Sequence, residues 1–268
     1  MDKAEKKNFT LTVLGARGSV PVDGSGYAVY GGATSCYMVR CGERIIFLDA
    51  GTGILSAPDT GYENVAILLS HAHLDHINGL SFYKGLTVPD KRIDIYGKRS
   101  DRRHIGEAVR RLYSPPFWPV HIENYPADTH FYEAESAFDI GDVHIEVMDS
   151  NHPNGSVIYK LTYEGRSLIY ATDYEHDDAK RKELTGFCRD AELVMYDAQY
   201  TEEDYMRKRG YGHSTVREGL RLLRETGAKR MLFVHHDPDY TDEFMDRRER
   251  ELGACEAHFA KRMEVLAI

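Results

Sequence analysis

Ser70-His71-Ala72-His73-Leu74-Asp75-His76 gathers three histidines and an aspartate within six positions, immediately after the apolar run 65–69. In an extended segment, alternation points His71 and His73 to the same side, while a helix beginning there turns Asp75 and His76 toward a second point. That pattern suits two neighbouring cations better than one. Imidazole mixed with carboxylate is a favoured donor set for zinc and related divalent metals, and two ions roughly 3.5–4 Å apart can clamp an attacking and a leaving oxygen. One loop supplies too few donors for a metal pair. Three further polar positions close hydrophobic runs: His152 follows 143–148, Asp173 follows 168–171, and the pair His235-His236 follows 231–234. Taken singly, each is as readily a turn residue at a strand end; beside the 71–76 cluster they read as further ligands.

Strands must position these residues. Runs rich in β-branched and aromatic side chains recur at 9–14, 36–39, 44–48, 65–69, 93–96, 143–148, 157–163, 168–171, 193–196 and 231–234. The spacing of Ile105, Ala108, Val109 and Leu112 predicts a helix capped at Ser100 or Asp101. Thr215-x-x-Glu218 reads as the capping box of a second helix that stops at Gly227. Ten strands with few helices exceed what one doubly wound sheet holds, so two packed sheets covered by helices are expected, a mixed α/β (α+β) fold in a single domain spanning 1–268. Residues 114–130, with Pro115, Pro116, Pro119 and Pro126 around Trp118, form an irregular stretch, either a surface connection or one wall of a pocket.

Composition narrows the function. No apolar run approaches the roughly 20 residues that span a bilayer, and the start shows no signal-peptide pattern, so a soluble cytoplasmic protein without a membrane partner is expected. Cys36, Cys41, Cys188 and Cys255 form neither a C-x-x-C pair nor a disulfide framework and read as reduced, mostly buried thiols. With 34 basic against 43 acidic residues the net charge is −9, which repels long polyanions over the whole surface. A small anion drawn to a local metal site is the more natural substrate.

The cluster His71-Ala72-His73-Leu74-Asp75-His76 resembles the H-x-H-x-D-H motif of the metallo-β-lactamase superfamily. His152, Asp173 and His235 are similar to its later metal-binding positions, and Asp49-Ala50-Gly51 to its early Asp-x-Gly strand end. The resemblance runs from Leu14-Gly15-Ala16-Arg17 to His236-Asp237-Pro238. It implies a four-layer αββα sandwich with the metals at one edge. It also implies two divalent ions, zinc first and manganese or iron as alternatives, with His71, His73 and His152 on one ion and Asp75, His76 and His235 on the other. Asp173 would bridge the two, and a shared hydroxide would complete the site, with Asp75 also orienting it. By the same likeness, with Pro238 and Tyr240 aligned, the ligand of the adjacent pair is His235, leaving His236 as a partner to a carboxylate or a substrate contact.

Tyr211-Gly212-His213-Ser214-Thr215 is similar to a segment of the superfamily's phosphodiesterase branch, which includes ribonuclease Z. It implies a phosphodiesterase in which His213 protonates the leaving alkoxide; the alternative is that His213 only positions a helix start. Arg17 is either a phosphate contact or a structural arginine. Only 20 residues separate His152 from Asp173, too few for the tRNA-clamping arm of ribonuclease Z, so a cyclic or short nucleotide diester is expected rather than a long nucleic acid, with a homodimer as an admissible assembly. Ala33, where relatives tend to carry Asn, is a departure near the pocket. A thioester or lactone hydrolase of the same fold, a nucleotide-sensing protein without turnover, and a di-iron oxidoreductase are the competing readings.

Overall fold

The computed structural model describes residues 9–59, 61–99 and 104–268. The first half lays down β1 (Phe9–Gly15), β2 (Cys36–Cys41), β3 (Arg44–Leu48), β4 (Asn64–Leu69), α1 (Leu74–Ile77), β5 (Arg92–Gly97), α2 (Ile105–Leu112) and β6 (Asp128–Glu133). The second lays down β7 (Ala137–Ile140), β8 (Val143–Asp149), β9 (Val157–Tyr163), β10 (Arg166–Ala171), α3 (Asp178–Phe187), β11 (Leu193–Asp197), α4 (Glu202–Lys208), α5 (Val216–Thr226), β12 (Met231–Val234), α6 (Asp242–Leu252), β13 (Ala257–Phe259) and β14 (Val265–Ala267). Two seven-stranded sheets result, ordered β14-β1-β2-β3-β4-β5-β6 and β13-β12-β11-β10-β9-β8-β7, so the last strand returns to the first sheet.

Alternation along the central strands explains the layering. In β3, Ile46 and Leu48 face the core between the sheets while Ile45 and Phe47 face outward. In β10, Leu168 and Tyr170 point inward and Ile169 and Ala171 outward. Both faces of such strands are buried, which is why they read as continuous apolar runs. Helix α2 covers the outer face of the first sheet through Ile105 and Val109, and α3, α5 and α6 cover the second through Leu184, Leu222 and Met245. Each fully buried aliphatic side chain, such as Ile67 or Leu168, contributes about 1.5–3 kcal/mol. The expected αββα sandwich is therefore present.

Several local expectations are corrected. Four strands escape the pattern, β6, β7, β13 and β14; β6 and β7 are edge strands whose side chains are partly exposed, and β13 and β14 are edge strands of three residues each, so none shows apolar periodicity. Ser100 and Asp101 lie outside the described residues; α2 is capped by His104, whose Nδ1 accepts from the Gly106 amide. Thr215 does precede α5, and Gly227 ends it at φ 70°, but the Thr215 side chain makes no capping bond. Glu218 pairs with Arg181 of α3 instead. Trp118 packs half-buried on Tyr113 and Phe82, a surface connection over the outer core of the first sheet. Among the described residues, no helix is long and apolar enough to cross a membrane.

Candidate metal centre

Because β8, β10, β11 and β12 all run in the same direction, their C-terminal ends share one rim of the second sheet, opposite the C-terminal end of β4 in the first. The two rims are tied together where the Val157 amide donates to Ser70 O and the Tyr159 hydroxyl donates to Leu69 O. His71 and His73 leave β4, Asp75 and His76 lie in the single turn of α1, and His152, Asp173 and His235 follow β8, β10 and β12. All the sequence-predicted ligands thus meet at one place.

Their donor atoms fall into two groups. His71, His73 and His152 offer nitrogens that lie within 4.8 Å of one another, and so do the ligand atoms of Asp75, His76 and His235. Asp173 stands between the groups with one oxygen toward each. Its Oδ1 is 3.8 Å from His71 Nε2 and 3.6 Å from His152 Nε2, while its Oδ2 is 3.2 Å from His76 Nε2 and 3.4 Å from His235 Nε2. Asp75 Oδ2 is 3.2 Å from both His76 Nε2 and His235 Nε2 and accepts the Ser19 amide.

The outward-facing nitrogens are fixed by the bonds on the far side of each ring. His76 Nδ1 donates to Asp49 Oδ2 at 2.6 Å, His235 Nδ1 to Gln199 Oε1 at 3.1 Å and His152 Nδ1 to Gly212 O at 3.0 Å. The Ser70 hydroxyl gives its proton to Asp49 and so accepts from His71 Nδ1. These bonds leave the Nε2 lone pairs of His71, His76, His152 and His235 pointing into the cluster. His71 Nε2 and His76 Nε2 are buried and hydrogen-bond to nothing. Buried polar atoms are rarely left so, and orphaned imidazole nitrogens converging on carboxylates fit a pair of divalent cations.

Electrostatics agree with that fit. Burial works against the ionised carboxyls of Asp75 and Asp173, yet His76 and His235 hold both well below the usual carboxylate range. Burial likewise opposes protonation of His76 and His235, but Asp173, Asp75 and other carboxylates outweigh it, raising His76 and lifting His235 to about 9. His71, buried and beside His76, is pushed down. The buried carboxylates thus favour positive charge on the groups around them.

Backbone geometry pays a visible cost here. Ser19, Asp49, Asp173 and His235 adopt positive φ although none is glycine, a conformation that costs on the order of 1 kcal/mol or more per residue and gathers at functional sites. Gly18 has to be glycine, since a Cβ would lie 2.4 Å from His235 Nδ1.

His213 is present as well. Its Nδ1 is 2.8 Å from Asp197 Oδ2, its ring stacks on His235 at 4.8 Å, and it meets His152 and Tyr200 edge-on. With Nδ1 taken, Nε2 is the nitrogen left for another partner. Asp197 also accepts the amides of Asp173, Gln199 and Ser214. Sequence reasoning missed Asp197, although it closes the run 193–196 as Asp173 closes 168–171. It also missed Gln199, which carries no such signal.

Two other residues find structural work. The guanidinium of Arg17 is buried and donates to the carbonyls of Gly31, Asp237 and Tyr240, so it ties three loops and is not a phosphate contact. His236 points away from the cluster, with Nε2 donating to Ala260 O between Tyr30 and Phe259, neither partnering a carboxylate nor facing a substrate.

Comparison with known proteins agrees with this architecture. Residues 44–236 match the family model described as Beta-lactamase superfamily domain. The chain is 24% identical to a ribonuclease Z of Haloferax volcanii, with 87% of this chain and 86% of the relative covered. It is also 24% identical to the probable metallo-hydrolase YhfI of Bacillus subtilis, over 84% of this chain and 86% of that one. The crystal structure of YhfI superposes with a TM-score of 0.74 at 20% identity, covering 98% of this chain and all of the other. A diphosphatase from the PhnP family superposes with a TM-score of 0.69 at 18% identity, covering 97% and 98%.

Proposed function

The chain belongs to the β-lactamase superfamily and is a metal-dependent hydrolase; from that premise we propose that it is a dinuclear phosphodiesterase, folded as one domain, that acts on a small nucleotide or cyclic phosphate. In this reading His71, His73 and His152 would hold one ion and Asp75, His76 and His235 the other, with the Asp173 carboxylate available to both. The ions are zinc, with manganese or iron as alternatives. When bound, such a pair supplies Lewis acidity toward a phosphoryl oxygen and toward water.

The observation that carries the phosphodiester reading is His213. A breaking P–O bond leaves an alkoxide that needs a proton. His213 is held by Asp197 through Nδ1 and stacked on the face of His235, which leaves Nε2 as the nitrogen that would give the proton from a ring beside the donor cluster. Asp197 fixes the orientation and tautomer of the ring through Nδ1. Asp75, fixed by the Ser19 amide, holds its carboxylate toward the second donor group and can orient the attacking water.

A small substrate is supported by the net charge of −9 and by the stretch from His152 to Asp173, which contains the β9–β10 hairpin and no inserted arm. The free cysteines suit a reducing, cytoplasmic setting. Hydrolysis of bis-p-nitrophenyl phosphate, lost on chelation and in Asp173→Ala together with bound metal, with no turnover of thioesters or lactones, is the expected result. Thioester hydrolysis without phosphodiester hydrolysis would overturn the reading, and cleavage of a tRNA precursor at a comparable rate would overturn the small-substrate part of it.

A further inference from the structure

Tyr211 is 64% exposed, yet it sits two residues from His213, which is 8% exposed. The backbone on either side of it is clamped. The amides of Gly210 and Gly212 both donate to the carboxylate of Glu175, at 2.8 and 2.9 Å, and the Tyr205 hydroxyl donates to the same carboxylate. The Tyr211 amide donates to Lys208 O. Gly210 and Gly212 have φ of 89° and 93°, and a Cβ on Gly212 would lie 2.1 Å from His152 Nδ1. A large apolar ring is therefore held in solvent on a backbone that cannot readily move away from the metal centre.

Behind the loop the packing is buried, with Tyr200 3% exposed. Tyr200 meets the His213 ring edge-on at 5.5 Å, and Lys208 Nζ lies 4.7 Å over the Tyr200 ring while pairing with Asp237 at 2.9 Å. Burial raises the Tyr200 phenol, and the neighbouring Asp197 and Asp237 act in the same direction. Tyr211 is thus one residue from Gly212, whose carbonyl accepts from His152 Nδ1, and two from the proposed proton donor.

We propose that the Glu175-clamped Gly210-Tyr211-Gly212 loop is a base-stacking subsite, with Tyr211 selecting substrates that carry an aromatic base beside the phosphodiester. The inference rests on the phosphodiesterase reading for its substrate and narrows that class to nucleotide diesters. Stacking on an exposed, rigidly held aromatic ring is tolerant of base identity and loses little conformational freedom on binding.

The test compares thymidine 5′-p-nitrophenyl phosphate with methyl p-nitrophenyl phosphate, which share a leaving group and differ in the nucleoside that replaces the methyl group. The wild type is expected to favour the nucleoside ester in kcat/KM. In Tyr211→Ala that preference falls at least about fivefold, chiefly through KM, and Tyr211→Phe retains it. Calorimetry gives a readout apart from turnover: affinity for thymidine 5′-monophosphate relative to inorganic phosphate falls by a similar factor in Tyr211→Ala. An unchanged preference and unchanged relative affinity would overturn the subsite. Tyrosine-dependent nucleotide binding without turnover of either diester would sink the phosphodiesterase reading and leave the subsite standing.

Discussion

The donor cluster and the loop that runs from Lys208 to His213 are adjacent but built on different principles. Cluster residues leave the ends of four strands in two sheets, and four of the five rings, those of His71, His76, His152 and His235, are held from behind by a hydroxyl, carboxylate, carbonyl or side-chain amide. The loop leans on one carboxylate, Glu175, and presents its largest side chain to solvent. Strand ends are rigid and suit a constellation that must hold to within about half an ångström, whereas a loop can change its side chain without disturbing the scaffold. The proposed chemistry therefore rests on the fold, and the proposed selection of substrate rests on the loop.

The comparison can be broken from either side, and the largest effect is expected behind the cluster. Asp49 accepts from Ser70 N, Ser70 Oγ, His76 Nδ1 and Tyr170 Oη while wholly buried. Asp49→Asn is predicted to weaken metal affinity about 10- to 100-fold by releasing the His76 ring, and turnover falls with it. Titration against a competing chelator measures this, and wild-type affinity in the variant would mean that the cluster does not depend on its support.

His213→Ala comes next. It is predicted to lower kcat by about 10²- to 10⁴-fold while metal content stays unchanged, with the loss growing as the leaving group becomes poorer. Metal analysis alongside a leaving-group series checks this; loss of an ion would instead make His213 a ligand, since it forms donor sets with His152 and Asp173 and with Asp197 and His235.

Glu175→Ala sharpens the comparison from the loop side. It strips the acceptor from Gly210 and Gly212, and kcat/KM for a nucleotide diester is expected to fall roughly tenfold through mispositioning, with the ions retained. The smallest effect is expected at the far end of the same segment. Thr215 precedes α5 without capping it, and its hydroxyl is buried without a partner, so Thr215→Ala should shift stability by less than about 0.5 kcal/mol, where loss of a working cap costs ~1 kcal/mol. Denaturant unfolding distinguishes the two.

What could be read in the sequence follows the same division. His71 to His76 announce themselves because strand alternation and one helical turn are local rules, and His152, Asp173 and His235 because each closes an apolar run. Which nitrogen faces inward was not legible, since it depends on Asp49, Gln199 and Gly212, all distant in sequence from the rings they hold. Asp197 carried the same strand-end signal as Asp173 but was hidden within a buried strand. Arg17 could not be placed from the chain alone, because its carbonyl partners at Gly31, Asp237 and Tyr240 come together only when the two sheets close. The four missed strands share a cause, short or half-exposed edges whose pairing is decided by neighbours rather than by their own periodicity.

The central claim is that two cations sit on either side of Asp173. Anomalous scattering from crystals grown with zinc, read together with the metal content of the same protein, tests it most directly. Two equivalents per chain are expected, one peak among His71, His73 and His152 and a second among Asp75, His76 and His235, both contacting Asp173. A single peak, or two ions bound elsewhere with Asp173 touching neither, would contradict it.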